Sequence, residues 1–303
     1  MGKASRRRTA SREQQGSSRA VKDPGAQPAP FVARPFAGLP GETDWVALRE
    51  VVPAATATVR LAPGAVPDDA PQAATVATVL PLAWSGLRRV DGEVLLGLQS
   101  GTTTGDASRD LAQVLLATAA AEPGTPVPSM PLATAGTPRL QDVLDLDARF
   151  EVTVHEGFDF WVTDAEELDA EGKDSLERAN ASAIPTSKLH AADSAYWCRI
   201  GERTHLRWVL PHDEDAATDA LARLHARGAS AIGASTRLLG AFRACGLLVP
   251  VWELDATLEA AAYEEAVAEL DTRFAEALAV EEPLTPQERR ARAGLLSRQV
   301  TLR

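Results

Sequence analysis

Apolar and polar positions divide the chain into an unpatterned start, a long patterned body and a short patterned end. Residues 1–30 mix Arg, Ser, Gln, Ala and Pro with almost no large apolar side chain, a composition that cannot bury enough surface to offset the entropy of ordering. They are expected to form a disordered basic arm. From Phe31 onward apolar residues recur with helix and strand periods. Thr43 or Asp44 offers a cap for a short helix through TDWVALREVV, which Pro53 halts. ATVATVL from Ala74 and GEVLLGLQS from Gly92 read as strands, followed by a helix capped by Asp106 and closed before Gly124.

After the Pro-, Gly- and Thr-rich loop Glu122 to Pro138 and a short helix or turn at LQDVLDLD, Phe150, Val152 and Val154 alternate with Glu151, Thr153 and His155 as in a half-buried strand. Phe158, Phe160 and Val162 extend that alternation beyond a break at Gly157, which predicts a second length of strand. A charged helix over Asp164 to Ala183 and an amphipathic helix from an Asp213 cap to Gly228 flank a hairpin. Two apolar segments around Gly246 and Pro250 lead into a long helix over Asp255 to Val280, with Leu258, Ala262, Ala266, Leu270, Phe274 and Leu278 as its core stripe. Strand, strand, helix and strand occur on both sides of the loop. The expected fold is therefore α+β, with mixed or antiparallel sheets and flanking helices. Its body, 31–281, could consist of two similar halves, 31–138 and 139–281. Residues 282–303 form a basic helix and tail opened by a capping box at Thr285 and Glu288 with Pro286 at the first helical position.

Register matters most in the hairpin Ala195 to Leu210, AYWCRIGERTHLRWVL. A three-residue loop of Gly201, Glu202 and Arg203 pairs Cys198 with Leu206 and Tyr196 with Trp208, leaving one face almost wholly apolar. A two-residue loop would set Cys198 opposite His205 and mix arginine into the apolar face at a large desolvation cost. The three-residue loop is therefore expected. Trp197, Arg199, His205 and Arg207 then share the other face, a stripe able to bind an anion or stack a base, or simply a solvated sheet face with arginine stems over the indole.

Charge changes the picture at the ends. The chain carries a formal charge of -11, yet residues 1–22 hold Lys3, Arg6, Arg7, Arg8, Arg12, Arg19 and Lys22 against Glu13 alone, a net +6 that leaves about -17 for the remainder. An acidic body argues against broad nucleic-acid or anionic-membrane binding, whereas Arg6, Arg7 and Arg8 suit an RNA or ribosome contact or, more plainly, a solubilising tail. Cys198 and Cys245 are too few for a disulfide framework or a four-thiolate zinc site, and no window is apolar enough to span a bilayer. A soluble cytoplasmic protein with reduced thiols is expected.

Chemistry-bearing constellations are sparse. His155 with Glu156 and Asp159 could act as a general base or ligate a metal, although the spacing matches no closed metal set. Gly101, Thr102, Thr103 and Gly105, between a strand and a helix, could present backbone N–H groups to an anion, but neither the P-loop lysine nor the dinucleotide glycine spacing is present. No metal and no cofactor is expected. Three readings stand: a non-catalytic binding or adaptor protein engaging RNA, the ribosome or a protein partner through basic termini; an enzyme with a His/carboxylate site; and an interaction module acting through the acidic body.

LPLAW at Leu80, EVLLGLQSG at Glu93, VTVHEGFDFW at Val152, AYWCRIGERTHLRWVLP at Ala195 and GLLVPVWEL at Gly246 together resemble an uncharacterised actinobacterial domain-of-unknown-function family, DUF5926. The resemblance spans most of the expected body and implies no activity, cofactor or partner.

Overall fold

The computed structural model describes residues 27–99, 104–164 and 168–297, and among them eleven strands form two sheets flanked by seven α-helices. The fold is α+β.

The first sheet contains β1 (Ala55–Arg60), β2 (Ala73–Ala77), β3 (Gly86–Arg88), β4 (Val94–Gly97), β5 (Pro126–Val127) and β6 (Val152–Val154), in the order β5-β3-β4-β2-β1-β6. Only β2 and β4 run parallel. Within β1 the strand period sends Ala55, Ala57 and Val59 to the core and leaves Thr56, Thr58 and Arg60 on the outer face. The apolar pattern does not reveal β1, because alternating Ala and Thr give little contrast. On the inner face lie α1 (Glu42–Glu50) and α2 (Ala107–Ala119), which bury Trp45, Val46, Leu48, Leu111 and Leu115. Asp106 caps α2 as expected, its carboxylate accepting from the Ser108 N–H at 3.1 Å. A short helix, α3 (Leu140–Val143), packs on α2.

The second sheet comprises β7 (Thr186–Leu189), β8 (Ala195–Ile200), β9 (Arg203–Trp208), β10 (Arg237–Ala244) and β11 (Leu247–Leu254), all antiparallel, in the order β10-β11-β9-β8-β7. One face carries Trp197, Leu206 and Trp208 beneath α5 (Glu214–Ala226), α6 (Glu264–Leu278) and α7 (Pro286–Ser297). From the other face Tyr196, and beside it Val209, Leu247 and Val249, join the core of the first sheet and α1. The second sheet is thus covered on both sides.

Several expectations need correction. The hairpin turns through two residues: Cys198 pairs with His205, Tyr196 with Arg207 and Ile200 with Arg203. Gly201 takes φ +60°, which a tight loop with glycine first requires. Because helices cover the Trp197 face and α1 the Tyr196 face, no wholly apolar face had to be separated from a solvated one. The two sheets differ in strand order and polarity, and β6 joins the first sheet, so they do not share the topology expected of similar halves divided at 138/139. Phe158 does not resume a strand; Asp159–Trp161 forms a 3-10 turn, because the Phe158 N–H bonds the Asn180 side chain at 2.7 Å instead of a neighbouring strand. That asparagine belongs to α4 (Ala170–Ala181), whose Asp169 N-cap starts the charged helix later than Asp164. The helix expected over Asp255 to Val280 is divided into a 3-10 turn, Ala260–Tyr263, and α6, leaving Leu258 exposed.

At the C-terminal side α7 opens with the expected capping box: Glu288 accepts from the Thr285 N–H at 2.7 Å, and the Glu288 N–H reaches the Thr285 hydroxyl at 3.3 Å. The helix docks on α5, with Leu295 buried and Arg292 paired to Asp219 and Asp215.

Candidate functional site

His155 sits just past β6 on the outer face of the first sheet, its N–H donated to the Ala54 carbonyl. Its Nε2 lies 2.8 Å from the Thr56 hydroxyl. With the proton on Nδ1 the ring accepts from Thr56, and with it on Nε2 the ring donates. Phe160 tilts over the imidazole at a centroid distance of 5.1 Å. Burial holds the His155 pKa below its ordinary value, and the Asp159 carboxylate opposes that shift. Asp159 is steadied by the Asn180 amide at 3.3 Å, whereas Glu156 is exposed. The structure therefore sets the Asp159 charge where it acts on His155 and adds Thr56, whose hydroxyl bonds the ring. A hydroxyl within hydrogen-bond reach of an imidazole is the arrangement of a nucleophile and its base. On the same sheet face, Thr58 and Thr153 line an open groove of about 580 Å³ with Arg60, Asp145, Arg149 and Glu151.

The hairpin residues separate onto two faces. Trp197 and Arg199 face the helices: the indole is buried, and the guanidinium stacks 4.9 Å over it and bonds Glu259 at 2.9 Å. His205 and Arg207 face the opposite way, so the expected four-residue stripe does not form. Arg207 is only 9% exposed and donates to the Val51 carbonyl at the C-terminal end of α1, 3.2 Å away. The pKa of His205 is lowered, first by burial and then by the Arg207 charge, with Glu253 acting against both. Cys198, across from it, is buried, and that burial raises its thiol pKa.

Of the glycine- and threonine-rich loop, Gly101, Thr102 and Thr103 lie outside the described residues, as do Arg6, Arg7 and Arg8. Gly105 has φ +108° and accepts the Val32 N–H. The start of α2 already holds an anion, the buried Asp106 carboxylate, which is flanked by Arg109 and Arg139 at 3.2 and 3.3 Å. A second negative group there would meet that charge directly.

A polar centre that the sequence pattern does not announce joins the two sheets. Gly41, at φ +68°, occupies the N-cap of α1, and Asp44 inside the helix turns its carboxylate toward the second sheet. It accepts from Lys188 Nζ at 2.8 Å, Ser194 Oγ at 2.6 Å and Tyr196 OH at 2.8 Å. The only signal was an acidic residue among apolar helix positions, which equally suits a cap.

Among the described residues no group of three or more His, Cys, Asp and Glu side chains could hold a metal ion, and no helix is long and apolar enough to cross a membrane. No curated protein and no solved structure matches the chain. A family model does, over residues 35–303, and the chain belongs to that family, described as a family of unknown function (DUF5926).

Proposed function

We propose that the protein is a non-catalytic binding protein of the cytoplasm that engages an RNA, alone or within the ribosome, through its arginine-rich first 22 residues. The observation that carries this reading is where the positive charge is left over. Within the body, many arginines are paired with carboxylates: Arg34 with Glu42, Arg89 with Asp91 and Glu93, Arg199 with Glu259, Arg237 with Glu253, Arg243 with Glu214 and Arg292 with Asp215 and Asp219. The seven basic residues of 1–22 face one acid in their own segment. Such a segment releases counterions when it neutralises phosphates, so its affinity falls steeply with salt. Docking of α7 on α5 argues for the N-terminal rather than the C-terminal basic segment as the contact. The test is RNA binding by the full chain across a salt series. Replacing Arg6, Arg7 and Arg8 with Ala is expected to weaken binding to every sequence and flatten the salt slope; an unchanged slope overturns the reading.

The Thr56–His155 contact supports a second reading, a hydrolase with Thr56 as nucleophile, His155 as base and Asp159 as the carboxylate beside it. Chromogenic ester hydrolysis lost in both Thr56→Val and His155→Gln, with melting temperatures near wild type, would favour it. Equal rates in all three proteins would remove it.

A further inference from the structure

We propose that Arg207 and His205 form a binding site on the body for a small phosphate-type oxyanion. The two side chains are two residues apart on β9 and therefore project from the same face of the second sheet. Arg207 is a cation that is more than nine-tenths buried, yet among the described residues no carboxylate lies within ion-pair distance of it, unlike Arg34, Arg237 and Arg292. Among the described residues its one hydrogen bond runs from Nη1 to the Val51 carbonyl, and its Nε is buried without a partner. His205 repeats the pattern, since its Nδ1 is likewise buried and unpartnered. A guanidinium offers five N–H donors in a planar fork, so a single carbonyl leaves most of that capacity unused. Two desolvated and unsatisfied nitrogens on one strand face call for an acceptor with negative charge.

The surroundings select against the protein's own acids. Glu253, opposite His205 across the β9–β11 pairing, is held by Arg237 at 2.7 Å, and Asp44, near Tyr196, is already bonded by Lys188, Ser194 and Tyr196. Exposure falls along β9 from exposed Arg203, through half-buried His205, to buried Arg207. A tetrahedral oxyanion accepting from the guanidinium and from the imidazole N–H supplies the missing charge and acceptors with atoms of one group. This site is independent of the arginine-rich segment, so either can fail without the other.

The test is calorimetric titration of inorganic phosphate into the full chain at fixed ionic strength, with chloride as the control anion. Saturable binding at one site is expected. Arg207→Lys, which keeps the charge but loses the fork, and His205→Gln are each expected to weaken it about tenfold or more, the consequence of removing one charge-assisted hydrogen bond. Arg207→Met tests the charge itself; should it fail to fold, the lysine variant carries the comparison. Replacement of Arg6, Arg7 and Arg8 with Ala is expected to leave phosphate binding unchanged while altering RNA binding. Absence of saturable phosphate binding, wild-type affinity in both the Arg207→Lys and His205→Gln variants, or loss of binding in the Arg6, Arg7 and Arg8 variant would each overturn the site.

Discussion

Removing the Asp44 carboxylate is expected to cost the folded protein about 4 kcal/mol. Asp44 is buried, and it is the acceptor for two hydroxyls, those of Ser194 and Tyr196, that are almost fully buried themselves. Asp44→Ala strands both, at roughly 1–3 kcal/mol each. Ser194 retains the Thr43 hydroxyl at 2.7 Å, which keeps its share at the lower end. Lys188 keeps about a quarter of its side chain in solvent, so water can replace part of its lost partner, adding roughly 1 kcal/mol. Asp44→Asn retains one acceptor oxygen and loses the ion pair, so about half the cost is expected. Urea unfolding measures the effect as a lowered midpoint at unchanged slope. Double-mutant cycles with Lys188→Met and Tyr196→Phe then divide it between the ammonium and the phenol. A loss below about 1 kcal/mol for Asp44→Ala, or no coupling to either partner, would refute the account of Asp44 as the polar centre joining the sheets.

Two glycines with similar left-handed φ separate backbone strain from crowding. Gly201→Ala, where a Cβ meets nothing within 4 Å, is expected to cost only the conformational term of about 1–2 kcal/mol, whereas Gly246→Ala sets its Cβ 2.5 Å from the Ala33 carbonyl and should cost clearly more; equal losses in denaturant melts would contradict this. His155 and His205 both have folded-state pKa values below the ordinary 6.5, so the unfolded chain binds more protons and stability falls as pH drops below about 6.5. The variant carrying His155→Gln and His205→Gln should show a flatter stability profile between pH 7 and pH 5, and an unchanged profile would count against both assignments. Burial pushes the Cys245 thiol up to about 11 and raises that of Cys198, so neither should react quickly with a thiol reagent at pH 8 until the protein unfolds; a fast native-state reaction of either would show that the thiol is open.

Local features were legible in the sequence wherever the chain within a few residues supplies the physics. The Asp106 and Asp213 caps, the Thr285 and Glu288 capping box and the amphipathic stripe of α5 are all settled within one or two turns. Features decided by distant partners were not. Phe158 to Val162 keeps a strand alternation, yet Asn180 from α4 takes the Phe158 N–H, and Trp161 turns its indole N–H to the Val79 carbonyl at 2.8 Å. Thr56 earns its place beside His155 only because β1 pairs with β6, a register that neither segment announces alone.

The hairpin shows most clearly why the candidate site was harder to read than the fold. A three-residue loop would keep the guanidinium groups off a buried face, and the desolvation cost it avoids is real. What the sequence could not supply was the second cover: α1 lies over the Tyr196 face, and its C-terminal carbonyls carry partial negative charge toward Arg207. Arg203, at the exposed strand end, keeps to solvent, and Arg199, on the opposite face, reaches Glu259, so the two-residue register buries one arginine rather than three. A helix-end carbonyl compensates that one only in part, since a fork of five donors bonded once is still an unmatched cation. The same register that overturns the expected surface stripe therefore creates the buried, half-satisfied Arg207 and its neighbour His205, and a structural role alone would be met as well by a smaller or uncharged donor to Val51. Arg207→Gln distinguishes the two: if the glutamine variant matches wild-type stability in chloride but loses the stabilisation that phosphate gives the wild type, the arginine is kept for a ligand; if it is equally destabilised in both salts, capping α1 is its whole task.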